Sequence, residues 1–486
     1  MLFGDNRLLF FDNRHIESAE NVTLTLNPPA KVGPCLHIEE EWEMKGARAH
    51  CVVEWQGQYR LYYKVGLGND RSALAIAVSD EGITWERPDL GVVEFNGSTE
   101  NNLVELDGRP NEVCVFVDPT GPDEHRFKLV CHSPAEGGMY LMTSPDGLTF
   151  KRAPGHLLQF ITDNNNSSFY DPRIGKYVIY LRGWDRSRAM PPIEGTRSIL
   201  RAETDDLFKP IRFDENAPDQ WHVSPKWTDI VDGGLRRMNR ELPTVMGCDD
   251  LDLPNMGLYQ AAAMQYLPEA YVAFPSLYYS YPWPPEGDFI NDGVLDLQFA
   301  SSRDGIEWRR DFRGSYVRLD LPDGPCTKMM HMLAGMVPHG HRVSQYYVGA
   351  RRTHGEGRTA KDVKVERPTN LGDPIAHRLE QRLDGFVSAD SAYTGGTLLT
   401  TPFTLEHERL ALNIDTSASG DARAALLDES GGATPGFGLE DSDRIQGNDT
   451  RYTITWRGNG DLPRLVGKKI KLLLRSRSAK LFAVYP

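Results

Sequence analysis

Several signals that usually classify a chain are missing here. Cysteine is scarce: six in 486 residues, none in a C-x-x-C pair. That weighs against a disulfide-stapled scaffold or a zinc ribbon. Cys51, Cys114 and Cys131 lie inside strand-like runs, and all six cysteines read as buried free thiols. No apolar stretch approaches the roughly 20 residues that span a bilayer as a helix. The start, Met1-Leu2-Phe3-Gly4-Asp5, lacks the basic region and apolar run of a secretory signal. The expectation is a cytoplasmic protein, or a secreted one whose signal has been removed. Basic excess is absent as well, with 54 Lys and Arg against 68 Asp and Glu, a formal net charge of −14. A phosphate backbone or an anionic membrane needs the opposite sign, so neither is expected as a partner. Helical periodicity is nearly absent, and no phosphate-cradling glycine loop or G-x-S-x-G elbow occurs.

What is present is a repeated phrase. Ser79-Asp80-Glu81-Gly82-Ile83-Thr84-Trp85, Ser144-Pro145-Asp146-Gly147-Leu148-Thr149-Phe150 and Ser302-Arg303-Asp304-Gly305-Ile306-Glu307-Trp308 follow S-x-D-G-φ-x-aromatic, with Glu81 as the acid of the first. Glu203-Thr204-Asp205-Asp206-Leu207-Phe208 is a degenerate copy. Each follows a pair of strand-like runs, and a strand-strand-turn unit recurring over tens of residues marks a radial all-β array. Five units can be drawn, each an inner strand and a middle hairpin: 51–55, 59–64 and 73–79; 113–117, 127–132 and 138–144; 167–170, 177–183 and 197–204; 259–265, 271–279 and 294–302; 332–337, 344–350 and 376–385. In the repeated turn the acid caps its own backbone, Gly supplies positive φ, and the aromatic packs back between blades. These residues therefore read as structural.

Five units close a ring and remove exposed sheet edges. The prediction is an all-β chain: a five-bladed β-propeller over residues 1–389, then a C-terminal β-sandwich over 390–486. The blade motif stops near Asp390 while strand alternation continues. Segments 184–196, 209–257 and 351–375 read as long polar loops that would shape a site.

Several stretches carry a family resemblance: Leu9-Phe10-Phe11-Asp12, Ile16-Glu17-Ser18, Trp42-Glu43, Phe169-Tyr170-Asp171-Pro172, Phe274-Pro275-Ser276, Asn291-Asp292-Gly293, Leu383-Asp384-Gly385-Phe386-Val387-Ser388 and Gly436-Phe437-Gly438-Leu439-Glu440-Asp441. With the propeller and sandwich they resemble the glycoside hydrolase family 32/43-type furanosidase architecture. The closer likeness is to an uncharacterised, planctomycete-rich group of family 32-like proteins. The resemblance implies a glycosidase with its chemistry in the axial funnel, lined by side chains at the starts of the inner strands. The W-x-N-D-P motif of the characterised furanosidases is absent.

Glycoside hydrolysis needs an acid and a second carboxylate, so acids just ahead of inner strands are the candidates. Glu43 stands in the Trp42-Glu43 pair that matches the resembling group. Asp163 opens the polar run before blade three, and Asp252 sits among the acids before blade four. These three are the expected catalytic carboxylates. Arg48, His50, Glu112, Asn166, Tyr259, Gln260, Asp292 and His331 are the expected substrate contacts. Asp171-Pro172 reads as a turn. Trp42, Trp184, Trp221, Trp227 and Trp283 could stack on sugar faces or fill the core. Glu440-Asp441-Ser442-Asp443 reads as a solvated loop, with a structural calcium as the alternative; no other metal or cofactor is expected. The functional expectation is a glycoside hydrolase acting on an oligo- or polysaccharide. The alternatives are a carbohydrate-binding propeller without catalysis and a polysaccharide lyase using His50, Tyr259 and Arg48.

Overall fold

A computed structural model describes the chain except for residues 1–3, 5, 69–70, 109, 133–137, 159–161, 163, 165–166, 186–195, 212–241, 282–291 and 357–370. Among the described residues there is no α-helix, only short 3-10 turns between strands.

Five antiparallel sheets form the first unit. Blade one runs Ala47–Trp55, Gln58–Gly68, Arg71–Ser79 and Leu103–Leu106. Blade two runs Glu112–Val117, Phe127–His132, Met139–Ser144 and Thr149–Arg152. Blade three is Ser167–Asp171, Lys176–Asp185, Thr196–Thr204 and Thr244–Met246. Blade four is Met256–Leu267, Ala270–Ser280, a third strand broken into Gly293–Leu297 and Ala300–Ser302, and Trp308–Arg309. Blade five is Met329–His339, Arg342–Ala350 and Pro374–Arg382, and its outer strand is Ala30–His37 from before blade one. An early strand thus completes the last blade and closes the ring. The inner strands neighbour one another in cyclic order from blade one round to blade five, which returns to blade one through the parallel bridge of Ala334 and Cys51. The predicted five-bladed propeller is there.

Small polar side chains fasten the inner strands to one another. Cys51 Sγ accepts from Val115 N and Cys114 Sγ from Ser168 N, each at 3.3 Å. Ser167 Oγ accepts from Ala263 N at 3.0 Å and donates to Ala261 O at 2.8 Å. Burial pushes the Cys114 thiol up to about 11 and the Cys51 thiol well above its usual range, so both stay protonated and inert.

The repeated turn is a staple between blades. Gly82, Gly147 and Gly305 have φ of +71°, +78° and +74°, and each N–H donates to the serine three residues earlier at 2.8–2.9 Å. Each glycine carbonyl accepts from a buried tyrosine of a neighbouring blade: Tyr346 on Gly82, Tyr62 on Gly147 at 3.1 Å, and Tyr180 on Gly305 at 2.6 Å. The motif's aromatic then meets the same tyrosine edge-on, Trp85 on Tyr346 at 5.5 Å and Trp308 on Tyr180 at 5.7 Å. A Cβ at Gly147 would collide with Tyr62 Oη, so glycine is required both by conformation and by contact. Asp171, read as a turn residue, is fully buried and caps Arg173 N at 3.0 Å while accepting from Tyr271 Oη at 2.6 Å.

Lys31–His339 with Ser344–Glu380 forms one compact unit, and Phe3–Ala30 with Gly340–Val343 and Gln381–Pro486 the other. The sequence boundary at 389/390 leaves the early strands with the propeller. The structure instead pairs Leu8–Leu9, Ile16–Glu20 and Val22–Leu26 with Ala479–Tyr485, Gly396–Thr400 and Val387–Ser391. The second unit wraps its strands around one apolar core of Phe10, Leu412, Ile414, Leu426, Trp456 and Leu472 among others. Its 18-residue strand Ala411–Asp428 shifts register between Leu412 and Ala422. Its first half pairs with Ala479–Tyr485 and its second with Lys469–Arg477, which folds the sheet into a sandwich. The Leu383-Asp384-Gly385 stretch is a turn locked there: Asp384, at φ +58°, accepts from Arg7 at 2.7 and 2.8 Å and from Tyr485 Oη at 2.5 Å.

Candidate functional site

The acids ahead of the inner strands part company in the structure. Glu43 closes the 3-10 turn Glu41–Glu43 and is fully buried. Its Oε1 accepts from Tyr63 Oη at 2.6 Å and Arg87 Nε at 2.9 Å. Its Oε2 accepts from Glu39 N, Glu40 N and Arg87 Nη2 at 2.9–3.1 Å. Five donors from its own chain fill the carboxylate, and no water or sugar reaches it. Its neighbour Trp42 donates to Asn102 Oδ1 at 2.9 Å and meets Phe95 edge-on. The Trp-Glu pair is therefore a cap that fastens the entry to blade one, and it encloses Glu43, one of the three expected catalytic carboxylates.

Asp252 is turned away likewise. Its side chain is 3% exposed and pairs with Arg310, just beyond the outer strand of blade four, and with Arg313 at 3.0 Å. It also accepts from Asp249 N at 2.9 Å. Asp252, another of the expected catalytic carboxylates, thus serves the outer edge of its blade. Asp163 and Asn166 lie outside the described residues, as do Trp221, Trp227 and Trp283.

The axis is built by other residues, many of them expected as substrate contacts. Glu112, at the start of the inner strand of blade two, lies 3.3 Å from Arg48 Nη1 and 3.6 Å from His50 Nδ1 of blade one. Across the hairpins, Arg48 pairs with Lys64 and Glu112 with His132. Lys64 donates to Asn111 Oδ1 at 2.7 Å, and Asn111 Nδ2 lies 3.4 Å from His132 Nε2. Blades four and five supply the next group. The Tyr259 ring lies 5.3 Å from that of His331, and its hydroxyl is 3.0 Å from His354 Nε2. From blade three, Arg182 stands 4.2 Å over the Tyr259 ring, and its Nε donates to Tyr259 O at 2.7 Å. Asn164 Nδ2 donates to the same carbonyl at 2.6 Å. Gln260 is buried, with Nε2 on Met332 O at 3.1 Å. Asp292 sits at the edge of this group, where its Oδ1 accepts from Gly293 N and Gly355 N at 2.8 and 2.6 Å and fixes the turn carrying His354.

Two β-bulges aim these side chains. The register of blade one skips His50 between Ala49 and Cys51, and that of blade four skips Tyr259 between Leu258 and Gln260. Each bulge breaks the alternation of an inner strand. Ala49 and Val52 consequently join one apolar cluster and Cys51 and Val53 another. In blade four Leu258 and Ala261 share a cluster, which leaves the adjacent Tyr259 and Gln260 together on the opposite side, toward blade five.

The electrostatics divide the axial groups. Burial alone would raise the Glu112 pKa, but the charges of Arg48, His50, His132 and Lys64 outweigh it and hold the carboxyl below its usual range. Glu112 is thus an anion at neutral pH. His331 goes the other way for a base: burial first, then Arg48, His354 and Arg182, push it well below its ordinary value. It is a neutral imidazole, 9% exposed, with no hydrogen-bond partner for Nδ1 among the described residues.

Sequence reasoning missed Lys64, His132, Arg182, His354 and Arg197, whose guanidinium lies 5.1 Å from the Tyr259 ring centre. Four of these lie on second or third strands, away from the starts of the first strands where the candidate acids stand. In an antiparallel hairpin the end of the second strand lies beside the start of the first. A charge closing an apolar run, as Lys64 and His132 do, was the available signal. No cluster of His, Cys, Asp and Glu able to hold a metal occurs among the described residues. In the acidic loop of the second unit, Asp441 pairs with Arg457, and Asp443 accepts from Thr455 Oγ1 and Gly458 N at 2.5 and 2.7 Å.

No protein-family model matches the chain, and no curated protein does. Solved structures similar to it include a thermostable family-43 glycoside hydrolase, 14% identical, covering 71% of this chain and 93% of its own, with a TM-score of 0.39. The Bombyx mori GH32 beta-fructofuranosidase BmSUC1 is 10% identical over 95% of this chain and 94% of its own, with a TM-score of 0.38. The catalytic domain of the Coprinopsis cinerea GH62 alpha-L-arabinofuranosidase is 12% identical over 73% and 97%, with a TM-score of 0.40.

Proposed function

We propose that this chain is a glycoside hydrolase that cleaves an oligo- or polysaccharide at the propeller axis, with Glu112 as its ionised carboxylate. The observation that carries the reading is the convergence on Glu112. A half-buried carboxylate is surrounded by Arg48, His50, His132 and Lys64 from two blades, and the group of Tyr259, His331 and His354 supplies hydrogen-bonding partners for sugar hydroxyls. An anionic carboxylate is the state of a nucleophile or a general base, whereas the group protonating the leaving oxygen has a raised pKa. Glu112 therefore takes the former role. Asp163, next in sequence to the axial Asn164, is the proposed acid. Arg48, His50, Tyr259, Gln260 and His331 contact the sugar.

Elimination is the second reading. The Tyr259 hydroxyl sits 3.0 Å from His354, with the Arg182 guanidinium over its ring. A tyrosine and histidine beside an arginine can take a proton next to a uronate carboxylate and neutralise that carboxylate. Incubation with a panel of plant, algal and bacterial glycans, read by product mass, tests both. Fragments that together gain one water establish hydrolysis. An unsaturated fragment absorbing in the ultraviolet, without water gain, replaces it with elimination. Saturable binding with no product sinks both.

A further inference from the structure

The two arginine–glutamate pairs at the start of the propeller differ in a way that bears on the substrate. Arg87 closes on Glu43 with two nitrogens, Nε on one oxygen at 2.9 Å and Nη2 on the other at 3.1 Å. A two-pronged pair of this kind spends the guanidinium fork. Arg48 reaches Glu112 with Nη1 alone, at 3.3 Å, beyond the 2.7–2.9 Å of a strong charge-assisted bond. Its side chain is 38% exposed, against 11% for Arg87. No further bond to Arg48 Nε or Nη2 is present among the described residues. An open guanidinium fork at the axis is thus held in place by a half-buried carboxylate and presented to solvent.

A second, independent observation lies beside it. His331 feels the charge of Arg48, is nine-tenths buried, and has Nδ1 unpartnered. A buried polar atom without a partner costs free energy unless a ligand supplies one. Lys64 adds positive charge on the Glu112 side of the axis, in a chain whose net charge is −14. A guanidinium donates to neutral hydroxyls as well, but an oxyanion adds charge to the match. Planar and tetrahedral oxyanions match its fork.

We propose that the axial pocket takes an anionic carbohydrate, whose carboxylate or sulfate oxygens are held by the open end of Arg48 while a neighbouring hydroxyl donates to His331 Nδ1. This rests on the reading of the axis as the glycan-cleaving site and narrows its substrate class.

The test uses the full chain and matched probes, with binding and cleavage measured separately. Oligogalacturonides are compared with their carboxyl-reduced neutral counterparts, and carrageenan oligosaccharides with their desulfated counterparts. Binding of at least one charged member about tenfold more tightly than its neutral match, with the ratio falling toward one in Arg48→Gln, supports the proposal. The pair that shows the preference tells carboxylate from sulfate. Arg48→Lys, which keeps the charge and loses the fork, is expected to recover only part of the preference. Equal binding of charged and neutral members, a preference untouched by Arg48→Gln, or no binding to either overturns it. Preferential binding with no cleaved bond leaves the anion site standing and sinks the glycosidase reading. Cleavage of neutral members without preference does the reverse.

Discussion

Glu43 and Glu112 stand a blade apart, both at the entry to an inner strand and both beside an arginine, yet they do opposite things. Around Glu43 every acceptor is filled from its own chain, and the arginine grips it with both prongs. Around Glu112 the arginine holds loosely and stays open, and the charges gathered there exceed what one carboxylate neutralises. The first arrangement is what stability selects: a buried ion whose hydrogen bonds are all made. The second leaves the Arg48 fork open to a further acceptor. Position ahead of a strand does not separate the two, but the grip of the arginine does: Arg87 binds Glu43 with two nitrogens and Arg48 binds Glu112 with one.

The largest test of that contrast is Glu112→Gln. Turnover is expected to fall by about a thousandfold while the thermal midpoint stays near that of the parent chain. Glu43→Gln is expected to do the converse. It strands Arg87 and Tyr63 around a neutral group and costs about 3–5 kcal/mol of stability, read in denaturant unfolding, with turnover per folded molecule unchanged. Gly147→Ala tests the seams: positive φ and collision with Tyr62 Oη predict a loss of about 2 kcal/mol and no specific effect at the axis.

The smallest expected effect concerns acid stability. Asp118 of blade two, fully buried, pairs with Lys128 at 2.7 Å and accepts from Tyr177 Oη at 2.6 Å. Burial opposes its ionisation, but these bonds outweigh it and lower the carboxyl from 3.8 to about 2. A depressed folded pKa gives stability that is present above the unfolded value and is lost as pH falls through the folded one. Asp118→Asn should therefore flatten the pH dependence of stability between about pH 4 and pH 2. An unchanged slope there would show that Asp118 is not among the saturated pairs.

Much of the architecture was legible because repetition and composition encode it directly. The S-x-D-G turn, the five strand pairs and the later change of texture were enough for the propeller and the sandwich. What escaped were features set by distant parts of the chain. Nothing local says that Ala30–His37 completes blade five or that Ile16–Glu20 pairs with Gly396–Thr400. At the site, the types were readable and the directions were not. Arg48, His50, Glu112, Tyr259, Gln260 and His331 belong to the axial group, but Glu43 and Asp252 were placed there because acids ahead of strands look alike in sequence. Whether a carboxylate is spent depends on Arg87, Arg310 and Arg313, which lie 44 to 61 residues away along the chain. The bulges at His50 and Tyr259 are likewise invisible to a period-two reading, although they decide which side chains reach the axis.

The most direct measurement sets Glu112→Gln and Glu43→Gln side by side, recording turnover per folded molecule on whichever glycan the panel identifies, together with the thermal midpoint of each. The account predicts a folded, inactive Glu112→Gln and a destabilised Glu43→Gln whose folded fraction still turns over. A Glu112→Gln variant that cleaves at the parent rate would contradict it.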